Sequence, residues 1–136
     1  MSDRFQVDEA NALLPELAGM LKRLRHLQQE ARAKYEEMRD IRQVEYTKDG
    51  TLIMLADHQL SKKAFDRLVT QANELLAAIN ALGCRVTDVE LGLVDFPARV
   101  NDEPVFLCWQ LGEPTVGFYH GVREGYAGRR PIPSRS

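Results

Sequence analysis

The chain has 136 residues, of which 44% are hydrophobic and 28% charged, which suits one compact domain with its own core and is too short for two. Lys and Arg number 18 against 20 Asp and Glu, and the net charge of −2 excludes a strongly basic nucleic-acid binder and a highly acidic disordered chain. Apolar runs fall far short of the roughly 20 residues of a membrane span. The opening MSDRFQVDEA carries no apolar signal segment, so a cytoplasmic location is expected.

Residues 8 to about 45 read as a helix. Asp8 can cap its first turn, or Gln6 and Glu9 can do so as a looser capping box. Pro15 falls two turns in, where a proline kinks or restarts a helix. Beyond it Leu17, Leu21, Leu24, Ala31, Tyr35 and Met38 recur at 3–4 spacing, with Gln28 interrupting the seam. So narrow a stripe needs a partner helix. Residues 58–82 supply one, with Leu60, Ala64, Leu68, Ala72, Leu75, Ile79 and Leu82 at the same spacing and Gly83 at the C-terminal cap. Thr47-Lys48-Asp49-Gly50 reads as the turn between them, and Thr51–Leu55 as a short strand or the start of the second helix. A first helix of about 30 residues runs ~45 Å, more than one partner covers. Met20, Leu27 and Ile41 at the stripe margins suggest a second apolar contact, and a homodimer of coiled-coil-like hairpins is expected.

After Gly83 the hydrophobic period changes from 3.6 to 2, and strands are expected at 91–98, 104–110 and 115–120. Turns fall at Val100-Asn101-Asp102-Glu103 and Leu111-Gly112-Glu113-Pro114. With tight turns at both places Asp95 faces Cys108, Cys108 faces Gly117, and Trp109 lies between Val94 and Val116. That register gives one continuous apolar face of Val94, Phe96, Leu107, Trp109, Val116 and Phe118. It also puts His120 and Asp95 on opposite faces. The expected architecture is α+β: a single domain with a helical hairpin over 8–83, a three-stranded antiparallel meander over 84–122 and a basic tail over 123–136.

Asp95 is conspicuous because Asp is disfavoured inside a strand. Cys108 beside it lacks a base to form thiolate and reads as a packed, inert thiol. Cys84 and Cys108 make no disulfide framework and no CxxC pair, and three scattered histidines complete no zinc motif, so no metal and no cofactor is expected. Glu36, Glu37 and Asp40 look like half of a metal-binding helix pair whose other half is missing. Gly125-Tyr126-Ala127-Gly128-Arg129-Arg130 lacks the lysine and following helix of a P-loop. Its glycines and arginines suit a turn that accepts a small anion, with His120 at one side. The competing reading pairs Arg129 with Glu113 or Asp95 and locks the tail to the sheet.

Glu90-Leu91-Gly92-Leu93-Val94-Asp95-Phe96-Pro97-Ala98, Leu107-Cys108-Trp109-Gln110-Leu111-Gly112-Glu113-Pro114, Tyr119-His120 and the Gly125–Arg130 segment, with Glu9–Pro15 in front, together resemble a bacterial family known as domain of unknown function 2203. The resemblance covers nearly the whole chain, and it departs at Tyr119 and Tyr126, where tryptophan and phenylalanine are the family's usual residues. It implies a cytoplasmic bacterial protein and transfers no activity. The family's recurring polar positions fall here on Asp95, Glu113, His120 and Arg129, and Arg130 joins them as a candidate ligand contact. The expected function is a non-enzymatic, self-associating binding or assembly module. The alternative is a small-molecule or metal-dependent enzyme built on Asp95, Glu113, His120 and Arg129, and convergence of those four separates the two.

Overall fold

A computed structural model describes residues 5–45 and 51–133. Two helices, α1 (Val7–Glu45) and α2 (Thr51–Ala81), precede a sheet of β1 (Arg85–Asp88), β2 (Leu93–Val100), β3 (Glu103–Gln110), β4 (Phe118–Gly121) and β5 (Arg130–Pro131), with a short 3₁₀ turn η1 (Tyr126–Gly128) before the last strand. Thr51–Leu55 is helix. The turn expected at Thr47–Gly50 lies outside the described residues. The described helices include none long and apolar enough to cross a membrane.

The chain divides into two compact units. One is the hairpin unit, Arg23–Leu75. Its helices run antiparallel, for Tyr35 meets Phe65 at 6.1 Å between ring centroids and Ser61 Oγ donates to Glu37 Oε1 at 3.2 Å. Leu24 and Leu27 are buried, so Leu27, expected at a stripe margin, is not open for a second contact. The Ile41 side chain lies outside the described residues.

The other unit joins the start of α1, the end of α2 and the sheet. The expected capping box forms, with Gln6 N donating to Glu9 Oε1 at 2.8 Å. Gly83 takes the left-handed cap conformation (φ 98°), and the Phe5 ring lies where its side chain would begin. Phe5 is pinned by its N–H to Pro97 O at 2.7 Å and packs edge-on against Phe96 at 5.2 Å. Ala10, Leu14, Leu17 and Leu21 of α1, Ile79 of α2, and Val94, Phe96, Leu107 and Trp109 of the sheet are all buried and form this unit's core.

The sheet has five strands, not three, in the sequential antiparallel order β1-β2-β3-β4-β5. The β2–β3 register is the expected one, Val94↔Trp109, Asp95↔Cys108 and Phe96↔Leu107. Asn101 (φ 54°) and Asp102 (φ 66°) close it in the left-handed conformation that a two-residue hairpin turn requires.

The β3–β4 register differs by one residue: Cys108 pairs with Phe118, not Gly117, and Phe106 pairs with His120. The reason lies in residues 111–117, which form a wider loop than a tight turn. Trp109 Nε1 donates to Glu113 O at 2.9 Å, Val116 N donates to Asn11 Oδ1 at 2.7 Å, and Ile132 N donates to Gly117 O at 3.0 Å. These partners capture groups that a tight hairpin would have paired across the turn. A slip of one residue reverses the face of every side chain on β4, so Phe118 leaves the helix side and His120 leaves the face assigned to it.

Trp109, 2% exposed, fills the centre of the sheet unit, whereas Leu75 is only half-buried. Trp109→Ala is expected to cost about 3–5 kcal/mol in chemical denaturation. Leu75→Ala should cost distinctly less, and equal losses for the two would reject this placement of the core.

Candidate functional site

The face of the sheet opposite the apolar core carries Arg85, Asp95, Pro97, Phe106, Cys108, Gln110, Phe118 and His120, because directly paired residues share a face. Asp95, Cys108 and His120 are buried side by side, their ligand-type atoms within 4.8 Å of one another. The three side chains come from β2, β3 and β4, three adjacent strands.

Asp95 sits where a strand disfavours it because the sheet supplies partners on both sides. His120 Nε2 lies 3.1 Å from Asp95 Oδ1, and Arg85 Nη2, from the paired position on β1, lies 3.6 Å from Oδ2. The other ring nitrogen of His120 faces the Gly121 carbonyl at 2.9 Å. A carbonyl oxygen only accepts, so Nδ1 carries hydrogen and donates to it.

Two aromatic stacks roof this cluster. The Arg85 guanidinium lies 4.1 Å over the Phe106 ring. The Arg129 guanidinium lies 4.1 Å over Phe118 and 4.8 Å from the centroid of Tyr126. Arg129 Nη2 also donates to both carboxylate oxygens of Glu113, at 2.8 and 2.9 Å, and reaches Cys108 O at 3.4 Å. Burial is the largest single influence on the Arg129 charge and works against it, but the hydrogen bonds to Glu113 and Tyr126 and the charges of Cys108 and Glu113 together hold the guanidinium above its ordinary range. Glu113 is fixed in turn by Gln110 N at 2.7 Å.

The five candidate residues thus fall into three pairings. Asp95 holds His120, and Glu113 holds Arg129, both on the Cys108 face. Arg130 pairs with Tyr119 across β4 and β5 and therefore belongs to the other face, where it meets Glu124 at 3.1 Å and lies 5.0 Å from the Tyr119 ring centroid. His120, Arg129 and Arg130 are not gathered around one loop. Elsewhere, Glu37 binds Lys34 and Ser61, and His26 pairs with Glu30 one helical turn away. The Asp40 and His58 side chains lie outside the described residues.

Sequence reasoning missed Arg85, Phe106 and Phe118. A signal existed for Arg85: it follows the helix cap at Gly83 by two residues, at the start of the segment Arg85-Val86-Thr87-Asp88, which alternates as a strand does. Phe106 carried a fainter one, since it stands two residues from Cys108 and so shares its parity along the strand.

With this geometry in place, the comparison with known families is informative. Residues 4–132 match the model of an uncharacterized conserved protein family, DUF2203. The chain belongs to this family. No curated protein and no solved structure matches it. Membership therefore covers both helices and the sheet through β5, and the chemistry has to be read from the residues themselves.

Burial raises the Cys108 thiol to about 11, assisted by the Asp95 carboxylate and opposed by Arg129, and burial likewise raises Cys84 to about 11. A thiol that ionises later in the folded chain than in the unfolded one, near pH ~8.5, contributes stability that is complete below the unfolded value. That contribution is lost as pH rises toward the folded one. Chelator-treated protein is therefore expected to lose stability between about pH 9 and pH 11. At pH ~8 both thiols should stay closed to a thiol reagent until the fold opens. Prompt titration of either thiol in native protein would contradict their burial.

Proposed function

We propose that this chain is a non-enzymatic assembly module that associates with a second copy through its helical hairpin. The observation behind this reading is the state of α2 within the hairpin unit. Phe65, Leu68, Val69, Ala72 and Leu75 are all only half-buried, and Leu60 is 65% exposed. These residues fall on two adjacent rows, 68-72-75 and 65-69-72, so the apolar stripe is wider than one partner helix covers. Tyr35 of α1, 55% exposed, extends it.

Full burial of a Leu or Phe side chain contributes about 1.5–3 kcal/mol relative to exposure. Covering what these residues leave open, on each of two copies, contributes toward the several kcal/mol that association costs, with the exposed Leu60 and Tyr35 gaining most. A second copy brings a stripe of the same length and spacing, and twofold pairing of two hairpins gives a four-helix arrangement with a closed interface. The sheet supports the non-enzymatic part of the reading. Its carboxylates Asp95 and Glu113 are paired with His120 and Arg129, and of these residues and Cys108 only Glu113 lines the groove of about 390 Å³ beside Trp109, and none lines the one of about 320 Å³ beside Phe5.

Sedimentation equilibrium at tens of micromolar chain (roughly, the range of modest interfaces) is expected to show dimer for the wild type. A Leu60→Glu or Leu68→Glu variant of unchanged helicity should sediment as monomer. Monomeric wild type, or a dimer indifferent to both substitutions, would overturn the proposal.

A further inference from the structure

His120 is held the way a metal-binding histidine is held. Its Nδ1–H is committed to the Gly121 carbonyl at 2.9 Å, which fixes the ring and presents Nε2 to the carboxylate of Asp95. Ligand histidines characteristically anchor their second nitrogen on a backbone carbonyl or a carboxylate. In a neutral imidazole so anchored, Nε2 has a lone pair and no hydrogen. At 3.1 Å it meets Oδ1, which also offers only lone pairs. Something positive belongs between them: a proton, or a metal ion. Cys108 supplies the third donor atom of the same buried group, all within 4.8 Å of one another.

We infer that Asp95, Cys108 and His120 form a binding site for a borderline-soft divalent transition-metal ion, with zinc as its first representative. One thiolate, one imidazole and one carboxylate suit zinc or cobalt, whereas magnesium and calcium favour all-oxygen sets. Three protein donors leave the fourth position of a tetrahedral ion to water or an incoming ligand. The strands make the set rigid, for each donor is fixed in the β2–β3–β4 ladder by backbone pairing.

Coordination balances in charge. The Cys108 thiol gives up its proton, the proton shared by His120 and Asp95 leaves as well, and both go to solvent as one divalent ion enters. Two positive charges replace two, so the buried group meets no new net charge. The neighbouring charges stay in place: Arg85 on Oδ2 of Asp95 from β1, and the Arg129–Glu113 pair beside Cys108. Arg85, 54% exposed in its side chain, lies over Phe106 at the edge of the cluster, where the buried group comes nearest to solvent. The inference reverses the expectation of a metal-free chain, which rested on two distant cysteines and three scattered histidines and on a register that set His120 and Asp95 on opposite faces.

The test is titration of chelator-treated full-length chain with Zn²⁺ and, separately, Co²⁺, following metal content after gel filtration and the thiolate-to-cobalt charge-transfer absorption. Wild type and Cys84→Ser are expected to bind one ion per chain and develop the band. Cys108→Ser should lose the band. His120→Gln, which preserves side-chain bulk, should weaken binding by more than the roughly 10–100-fold that loss of an outer-shell partner costs. Folded wild type that takes up no stoichiometric ion, that binds cobalt without the thiolate band, or whose band survives Cys108→Ser would overturn the site. The readout is per chain, so it holds whether the hairpin dimerises or not.

Discussion

The sheet is organised around one demand, the neutralisation of a carboxylate that lies 2% exposed on β2, an interior strand of the sheet. A buried carboxylate without partners costs several kcal/mol even after the surroundings relax. Asp95 therefore constrains both neighbours of the β2–β3 hairpin. β1 must bring Arg85 opposite it, and β4 must lie in the register that brings His120 within 3.1 Å. Shifting β4 by one residue would turn His120 to the helix side and set Phe118 among the apolar residues. The apolar face would gain a ring, and Asp95 would lose its closest partner.

That balance explains what could be seen in the sequence and what could not. The helices were legible from 3.6-residue periodicity, Gly83 and the Gln6–Glu9 pair. The β2–β3 register was legible too, because Asn101-Asp102 permits only a narrow choice of turn. The β4 register was not, because the apolar pattern favoured the wrong answer: counting Phe118 toward the core gave a more continuous face. What decides the register is long-range, an Asn11 side chain in α1 that takes the Val116 amide and a tail residue, Ile132, that takes the Gly117 carbonyl. No local rule relates residue 11 to residue 116. Asp95, Glu113, His120 and Arg129 were legible as notable residues, but their pairing followed only once the register was known.

The two helices divide their work along their length in a way their composition already contains. At the start of α1, Ala10, Leu14, Leu17 and Leu21 are buried to 7% exposure or less within the sheet unit. In the hairpin unit the apolar residues of α2 remain half open, although their spacing is as regular. Regular spacing states that a helix has an apolar face; it does not state how many partners that face meets. The sheet, by contrast, leaves its polar pairs closed and its thiols shielded. The open apolar stripe and the buried Asp95, Cys108 and His120 group therefore belong to different units of the chain.

The strands that sequence reasoning overlooked complete the same logic. A meander of three strands laid on helices has a second face that is ordinarily left to water. Here that face holds Asp95, Cys108 and His120, and it needs a cover that is neither wholly apolar nor wholly polar. β1 supplies one guanidinium, Arg85, which neutralises Asp95 and stacks on Phe106. The segment leading into β5 supplies another, Arg129, which neutralises Glu113 and stacks on Phe118. Each arginine does two jobs at once, closing a carboxylate with its donors and an aromatic ring with its planar face. Lysine at either position would keep the charge and lose the stack. The first and last strands of the sheet, only four and two residues long, are thus best understood as the elements that carry these two guanidinium groups to the place where the middle strands require them.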